Sequence, residues 1–519
     1  MKHYLLSLLF IGSTTALNAQ ITWSEHAAEV IYNNCTECHN PDGVGSVSFM
    51  DYETAYDYRS LIQSYVEYNI MPPWTADPTF QHYFDERILT EYERNTIIDW
   101  ANGGALEGDP ELAPPPPVYV EGQVLPGTPD LVLEMPNYMS KATETHDDYV
   151  CISLPTGLTE ERIVKAIEII PGNRSIVHHC LVYADADASY PTDTIGGDCG
   201  GPTEEPLMAG YTPGSSPTIF PASSDFSSGM KLAAGANVVL AMHYPHGSYG
   251  EYDQTKVHFY FYDEPVDNFR EILAGPFIQN WEFELLAGEY TDVSASVPEI
   301  PYDLTVLSTF PHMHLLGKSI ESYALSPEGD TIPFVRIPDW DFDWQDFYWF
   351  KYMQKLPAGS ELVGNGVYDN TPGNPHNPYD PPIDIYPGLN TTDEMFLIYF
   401  HIMEYWEGDE YVNVDSLNTI FLSNQMDELP ESEIKVYPNP FNETISIEYN
   451  LVNNSYVSIF IYDMAGKVVS KLFKGEQETG AQTVVWDGTS ANGTEVTNGM
   501  YNYSMLIDGK HYSGRIIKK

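Results

Sequence analysis

The sequence predicts a mainly β protein with a small all-α segment at its front. Its 39 Pro and 38 Gly stand beside 38 Tyr and 9 Trp, a turn-rich, aromatic mix that suits short strands joined by many loops. With 519 residues it exceeds what one core uses, so about three or four domains of roughly 100–200 residues are expected. Hydrophobic residues are 43% and charged ones 19%, which fits folded domains and argues against a disordered chain. The 75 acidic against 23 basic residues give a formal charge of −52, which repels phosphate backbones and excludes nucleic acid as a partner.

Residues 1–20 read as a secretory signal peptide. Lys2 and His3 give a basic start, residues 4–12 an apolar run, and Ala16-Leu17-Asn18-Ala19-Gln20 a small-residue cleavage region. The run is too short to span a bilayer, and no later stretch reaches about eighteen apolar residues, so an exported, soluble chain without a transmembrane segment is expected.

Residues 21–112 contain Cys35-Thr36-Glu37-Cys38-His39, the attachment pattern for one covalently bound haem c. Two thiols bond the vinyl groups and the neighbouring imidazole ligates iron. Residues 25–34 read as a short helix ending at the motif, and residues 90–102, with Ile97, Ile98 and Trp100, as a closing helix. Met71, in Asn69-Ile70-Met71-Pro72-Pro73-Trp74, is the candidate second axial ligand, with His82 and Met50 as competitors. The segment resembles a small cytochrome c. The Pro-rich residues 113–129 then act as a stiff, extended linker.

Residues 130–412 are strand-like and gather histidines in tight groups: Val177-His178-His179-Cys180, Ala241-Met242-His243-Tyr244 and Pro311-His312-Met313-His314. His312 and His314 are two apart and share a face on a strand, whereas His178 and His179 can share a metal only if the backbone twists or bulges there. The strand around residues 393–400 alternates, with Met395, Leu397 and Tyr399 on one face. Imidazole with thioether is a copper donor set, since soft sulfur favours Cu(I).

Taken together, the His-His pair, the lone His243, His312-Met313-His314-Leu315-Leu316-Gly317-Lys318 and Asp393-Glu394-Met395 followed by Tyr399 resemble the copper type II, ascorbate-dependent monooxygenases. Peptidylglycine α-hydroxylating and dopamine β-monooxygenase are the known kinds. Cys151 also matches the start of that family's first domain. The resemblance implies two antiparallel, jelly-roll-like β-sandwiches, at 130–285 and 286–412, and two copper ions. One would be held by His178, His179 and His243, the other by His312, His314 and Met395, with Tyr399 in the catalytic site. His246 is a competing ligand. The implied reaction is hydroxylation of a C–H bond of a small-molecule substrate by O2. Phe310 and Leu397 stand where the peptide-hydroxylating member has an Arg and an Asn, so a more apolar substrate is expected. The fused haem is expected to relay electrons from an external donor. The rival expectation is a haem and copper electron-transfer or surface-binding protein without hydroxylase activity.

After a linker at 413–432, residues 433–519 alternate apolar and polar between Gly and Asn turns and read as a small Ig-like β-sandwich. Val436-Tyr437-Pro438-Asn439-Pro440-Phe441 and the closing Asn498-Gly499-Met500-Tyr501 resemble the C-terminal sorting domain of type IX secretion. That resemblance implies the type IX secretion machinery as a partner and a secreted or cell-surface location reached through the periplasm. Pairing among Cys151, Cys180 and Cys199 stays open. The acidic, aromatic run Asp339-Trp340-Asp341-Phe342-Asp343-Trp344-Gln345-Asp346 is read as a loop packed on the second sandwich. His376 and the Gly-rich 196–201 receive no role.

Overall fold

The computed structural model describes residues 20–414, 417 and 434–519, apart from 118–123, 194–198, 452–454, 463–467, 491–493 and a few further positions. Residues 1–19 of the expected signal and most of the 413–432 linker lie outside the described residues. The fold is mainly β, with a small helical front and an Ig-like tail. None of the described helices is long and apolar enough to cross a membrane.

At the front, a turn of π-helix at Trp23–Ala27 runs into helix α1 (Ala28–Asn34), followed by α2 (Tyr52–Glu67) and α3 (Glu91–Asn102). Asp51 caps α2 by accepting from the Thr54 N–H at 2.8 Å, and Thr90 with Glu93 forms a capping box on α3. Trp23, Ile31, Ile97 and Trp100 meet in the core of this bundle, with the two indoles 5.6 Å apart.

The chain between α2 and α3 leaves the bundle. Ala76 and Tyr83 are buried in the core of the second sandwich. The Phe84 N–H donates to the Trp349 carbonyl at 2.7 Å, the Asp77 N–H to Arg336 at 2.8 Å, and the Tyr83 hydroxyl to Phe334 at 2.8 Å. Residues 74–87 thus form a strap that ties the helical front to a domain more than 240 residues further along.

In the first sandwich one sheet runs Leu131–Glu134, Lys256–Phe261, Arg162–Ile170, Ser227–Leu232 and Phe269–Glu271, with Thr218–Ile219 also on Arg162–Ile170. The other runs Asp148–Pro155, Asn237–Tyr244, His179–Asp185 and Leu207–Tyr211. In the second sandwich Leu273–Asn280, Phe396–Glu404, Leu304–His312 and Tyr348–Leu356 face Tyr290–Val297, Glu361–Asp369, Gly317–Leu325 and Thr331–Ile337. The expected boundary at 285 therefore moves. Leu273–Asn280 hydrogen-bonds to Phe396–Glu404, so the chain crosses between sandwiches at Ile272.

Strand alternation explains why the strands bearing the histidines look apolar throughout. Val150, Ile152, Val182, Val238 and Leu240 point into the first core, while Cys151, Tyr183, Val239 and Ala241 point the opposite way. Likewise Phe396, Ile398 and Phe400 fill the second core, and Met395, Leu397 and Tyr399 point outward. The two outward faces pack on each other in a buried cluster with Phe310 and Leu207. The interface carries polar locks as well. Arg270 pairs with Asp409 in a buried salt bridge, and the ring Nε2 of His401 lies 3.0 Å from the Leu207 carbonyl.

The tail pairs a sheet of Lys435–Tyr437, Ile445–Leu451 and Gly480–Trp486 with one of Val468–Gln477, Ser455–Tyr462, Gly499–Ile507 and Lys510–Lys518. Phe441, Ile459, Trp486 and Met505 lie in its core.

Candidate metal and haem sites

His179 opens a strand and pairs in register with His243 on the neighbouring strand. Odd-numbered positions of both strands face the inter-sandwich interface, so both imidazoles point there. His178 precedes the strand, and its N–H still donates to the His243 carbonyl at 3.0 Å. The irregular backbone required for the adjacent pair is thus supplied by the strand's starting point. One ligand atom from each of His178, His179 and His243 lies within 4.8 Å of the others. Asp147 sits 2.8 Å from His243 Nε2, leaving Nδ1 facing His179, and the Tyr149 ring stacks on His243 at 4.3 Å. His246 lies outside this group. It is exposed and approaches the other oxygen of Asp147 at 3.4 Å.

His312 ends the strand Leu304–His312, and His314 lies just past it, their rings 5.0 Å apart. His312 Nδ1 is 2.6 Å from the Gln345 Oε1 and His314 Nδ1 is 3.1 Å from the Asp393 carbonyl. Both partners are acceptors, so Nδ1 carries the proton and Nε2 keeps its lone pair for a metal. Burial holds the imidazole pKa at about 4 for His312 and about 3 for His314, and pushes His179 well below its ordinary value. Neutral rings are the ligating form.

Glu394 joins the His-x-His turn to the methionine strand. Its buried carboxyl accepts the N–H groups of His314 at 2.8 Å, Leu316 at 2.6 Å and Met395 at 3.2 Å. Met395 sits in the interface cluster with Phe310, Leu397 and Tyr399, and its carbonyl accepts from Tyr368 at 2.6 Å. Tyr399 is hydrogen-bonded to Tyr183 across the interface.

The acidic, aromatic run does more than pack on the second sandwich. Trp340 and Phe342 are buried, Trp340 donates to the His314 carbonyl at 3.3 Å, and Gln345 orients His312. The alternation of Asp with Trp and Phe in this run was the available signal for a segment with one inward face. Cys199 lies at the same place, joined to Cys151 by a disulfide, while Cys180 is free and buried.

In the helical front, the His39 N–H donates to the Cys35 carbonyl at 2.9 Å, closing the motif into one turn. His39 Nδ1 is 2.8 Å from the Val47 carbonyl, which leaves the Nε2 lone pair available to a ligand, and burial pushes the Cys35 thiol up to about 12. Phe49 stacks on His39 at 4.6 Å and Tyr58 lies 6.2 Å from Phe49. Tyr58, Leu61 and Tyr65, spaced along one side of α2, are exposed, and the Met71 N–H donates to the Tyr65 carbonyl at 3.2 Å. An uncovered apolar stripe from the neighbourhood of His39 towards Met71 fits a porphyrin face. His82 instead sits on the strap beside Glu86, and the Met50 carbonyl accepts from Tyr32.

Residues 441–509 match the FlgD Ig-like domain. No curated protein matches the chain. Among solved structures, PorZ, a surface component of the type-IX secretion system of Porphyromonas gingivalis, is 23% identical over 18% of this chain and 12% of its own, with a TM-score of 0.14. Dimeric latent PorU from the same organism is 12% identical over 72% of this chain and 34% of its own, with a TM-score of 0.15. A β-D-glucuronidase of Dictyoglomus thermophilum is 11% identical over 50% of this chain and 41% of its own, at 0.13. The chain spans less than half the length of each, and at these TM-scores none bears on its fold or function.

Proposed function

We propose that the chain is an exported copper-dependent monooxygenase that hydroxylates a C–H bond of a small or apolar substrate with O2. The observation that carries this reading is the convergence of three imidazoles within 4.8 Å, one of which, His179, lines a cavity together with His312 and His314. The donor chemistry fits copper: imidazoles throughout, with the Met395 thioether beside the second group. His178, His179 and His243 would hold one ion, and His312, His314 and Met395 the other. Bound copper would supply O2 activation and one-electron chemistry. The chain's own residues orient and shelter. Gln345 and the Asp393 carbonyl fix the ring tautomers, Glu394 fixes the His-x-His turn, and Phe310, Leu397 and Tyr399 keep water from the wall.

A haem c held by Cys35, Cys38, His39 and Met71 would relay electrons from an external donor. Support comes from the position of Cys38. A Cβ on Gly214 would stand 2.9 Å from its sulfur, and the Arg87 guanidinium bridges the Gly214 carbonyl at 3.2 Å and Asp346 at 2.8 Å. Three residues back, Tyr211 pairs in register with Cys180, the neighbour of His179. For location, the Ig-like tail with its Tyr-Pro-Asn-Pro opening supports type IX sorting after export through a secretory signal.

The test is aerobic incubation of copper-loaded and copper-free chain with a reductant and candidate apolar substrates, followed by a mass search for products gaining one oxygen. O2 uptake coupled to such a product only in the copper-loaded sample is expected, and His312→Ala should abolish it while haem absorbance persists. Copper binding without oxygenated product would leave the electron-transfer reading.

A further inference from the structure

The strap and the two sandwiches meet around a second cavity, of ≈ 50 Å³. Trp74 and Arg87 line it from the strap, Gly214 and Thr218 from the first sandwich, and Phe347 and Trp349 from the second. A water needs about 10–15 Å³ of such space, so this one takes roughly three to five waters, or a carboxylate on a short carbon stem.

Arg87 is held firmly here. Its Nη1 donates to the Gly214 carbonyl at 3.2 Å and its Nη2 to Asp346 at 2.8 Å. The rings of Trp74 and Trp344 lie 5.5 and 5.2 Å from the guanidinium carbon. The third nitrogen is left over. Arg87 Nε and the indole Nε1 of Trp74 are both buried, and neither finds an acceptor among the described residues. Both groups are donors only, so no rotation or tautomer relieves them. Buried donors are paired in all but a few cases, and two from one wall point to an acceptor that enters the cavity. A carboxylate answers both needs: it has two adjacent oxygens, and its charge meets a guanidinium that never deprotonates.

The cavity also lies beside Cys38, whose sulfur is 2.9 Å from the Cβ position of Gly214. In the haem reading that thiol carries a vinyl group, and haem propionates sit on the opposite edge of the macrocycle. A free acid is therefore favoured over a propionate.

We propose that this junction binds the carboxylate of a small organic acid, with Arg87 Nε and Trp74 Nε1 as the donors. The two donors are present with or without copper or haem, so the proposal needs neither reading.

The test follows the indole N–H cross-peaks of the nine tryptophans in the 15N-labelled full chain, with any bound haem reduced. Trp74→Phe removes one cross-peak and so assigns it. Sodium acetate should move that peak to lower field, saturably, and acetamide, its neutral isostere, should bind at least about tenfold more weakly. Arg87→Lys should weaken acetate by about tenfold or more, the worth of one charge-assisted bond, with the remaining cross-peaks in place as the check on folding. A peak that acetate never moves would overturn the proposal and leave the donors to water. Equal affinity for acetamide would overturn it in favour of any neutral acceptor. A peak already at low field and indifferent to acetate would overturn the free acid in favour of a haem propionate.

Discussion

Gln345 is the residue whose role beside the clustered histidines is most sharply defined. It is 6% exposed, accepts from His312 Nδ1 at 2.6 Å and donates its amide to the Phe342 carbonyl at 2.8 Å. Gln345→Ala removes both bonds, each worth about 0.5–1.5 kcal/mol net, so the fold should lose about 1–3 kcal/mol. It also leaves the imidazole N–H without its acceptor and the ring free to turn. Loss of such an outer partner costs about 10–100-fold in metal affinity, or ~1.4–2.7 kcal/mol. Copper titration against a competing chelator should show one constant weakened by that factor. The other, belonging to the histidines oriented by Asp147, should move by about threefold at most, as expected for a partner that orients one ligand only. Gln345→Glu should restore the lost affinity, because a carboxylate accepts the same N–H bond. Two unchanged constants, or two that fall equally, would refute a specific orienting role.

Asp409 accepts from Arg270, Thr305 and the Trp406 N–H, and the Arg270 side chain is 2% exposed. Asp409→Ala leaves a buried guanidinium unpaired and should cost about 3–5 kcal/mol, read as a lower urea midpoint for the sandwiches. A loss under about 1 kcal/mol would contradict that account. Gly214 has φ +83° and its Cβ position lies 2.9 Å from the Cys38 sulfur, so Gly214→Ala should reduce the fraction of chain carrying covalent haem. Gly235, at φ +73° with open space around it, is the control. Gly235→Ala should bring comparable backbone strain, of order 1 kcal/mol, with haem attachment unchanged. Equal haem loss in both variants would show that strain alone is responsible.

What the sequence disclosed was mostly local. The closing helix over 90–102 and the alternation of Met395, Leu397 and Tyr399 are short-range patterns, and both are present in the structure. What it hid depended on partners far along the chain. Leu273–Asn280 carries no mark that its ladder partner is Phe396–Glu404, because register is a tertiary choice. Trp74 and Tyr83 looked like part of the helical front for the same reason. Their ring partner is Tyr348, and no pattern within residues 21–112 announces it. Gln345 was passed over because a lone glutamine in an acidic loop has no spacing to betray it. Only burial beside His312 gives it meaning.

The strap at 74–87 changes what the Pro-rich linker is for. A chain held to its neighbour only by residues 113–129 would release its helical front when cut there. Here a cut leaves Tyr83 locked among Tyr348, Phe350 and Trp74, with the Asp77 and Phe84 N–H groups still bonded to the Arg336 and Trp349 carbonyls. A protease nick in the linker should therefore yield two fragments that still migrate as one particle under native conditions. Excising the front as an independent piece would strip Ala76 and Tyr83 from a core they help to fill. The helical front is built into the sandwich protein the way a key is held by its lock, and its distance from the histidines is set when the second sandwich folds.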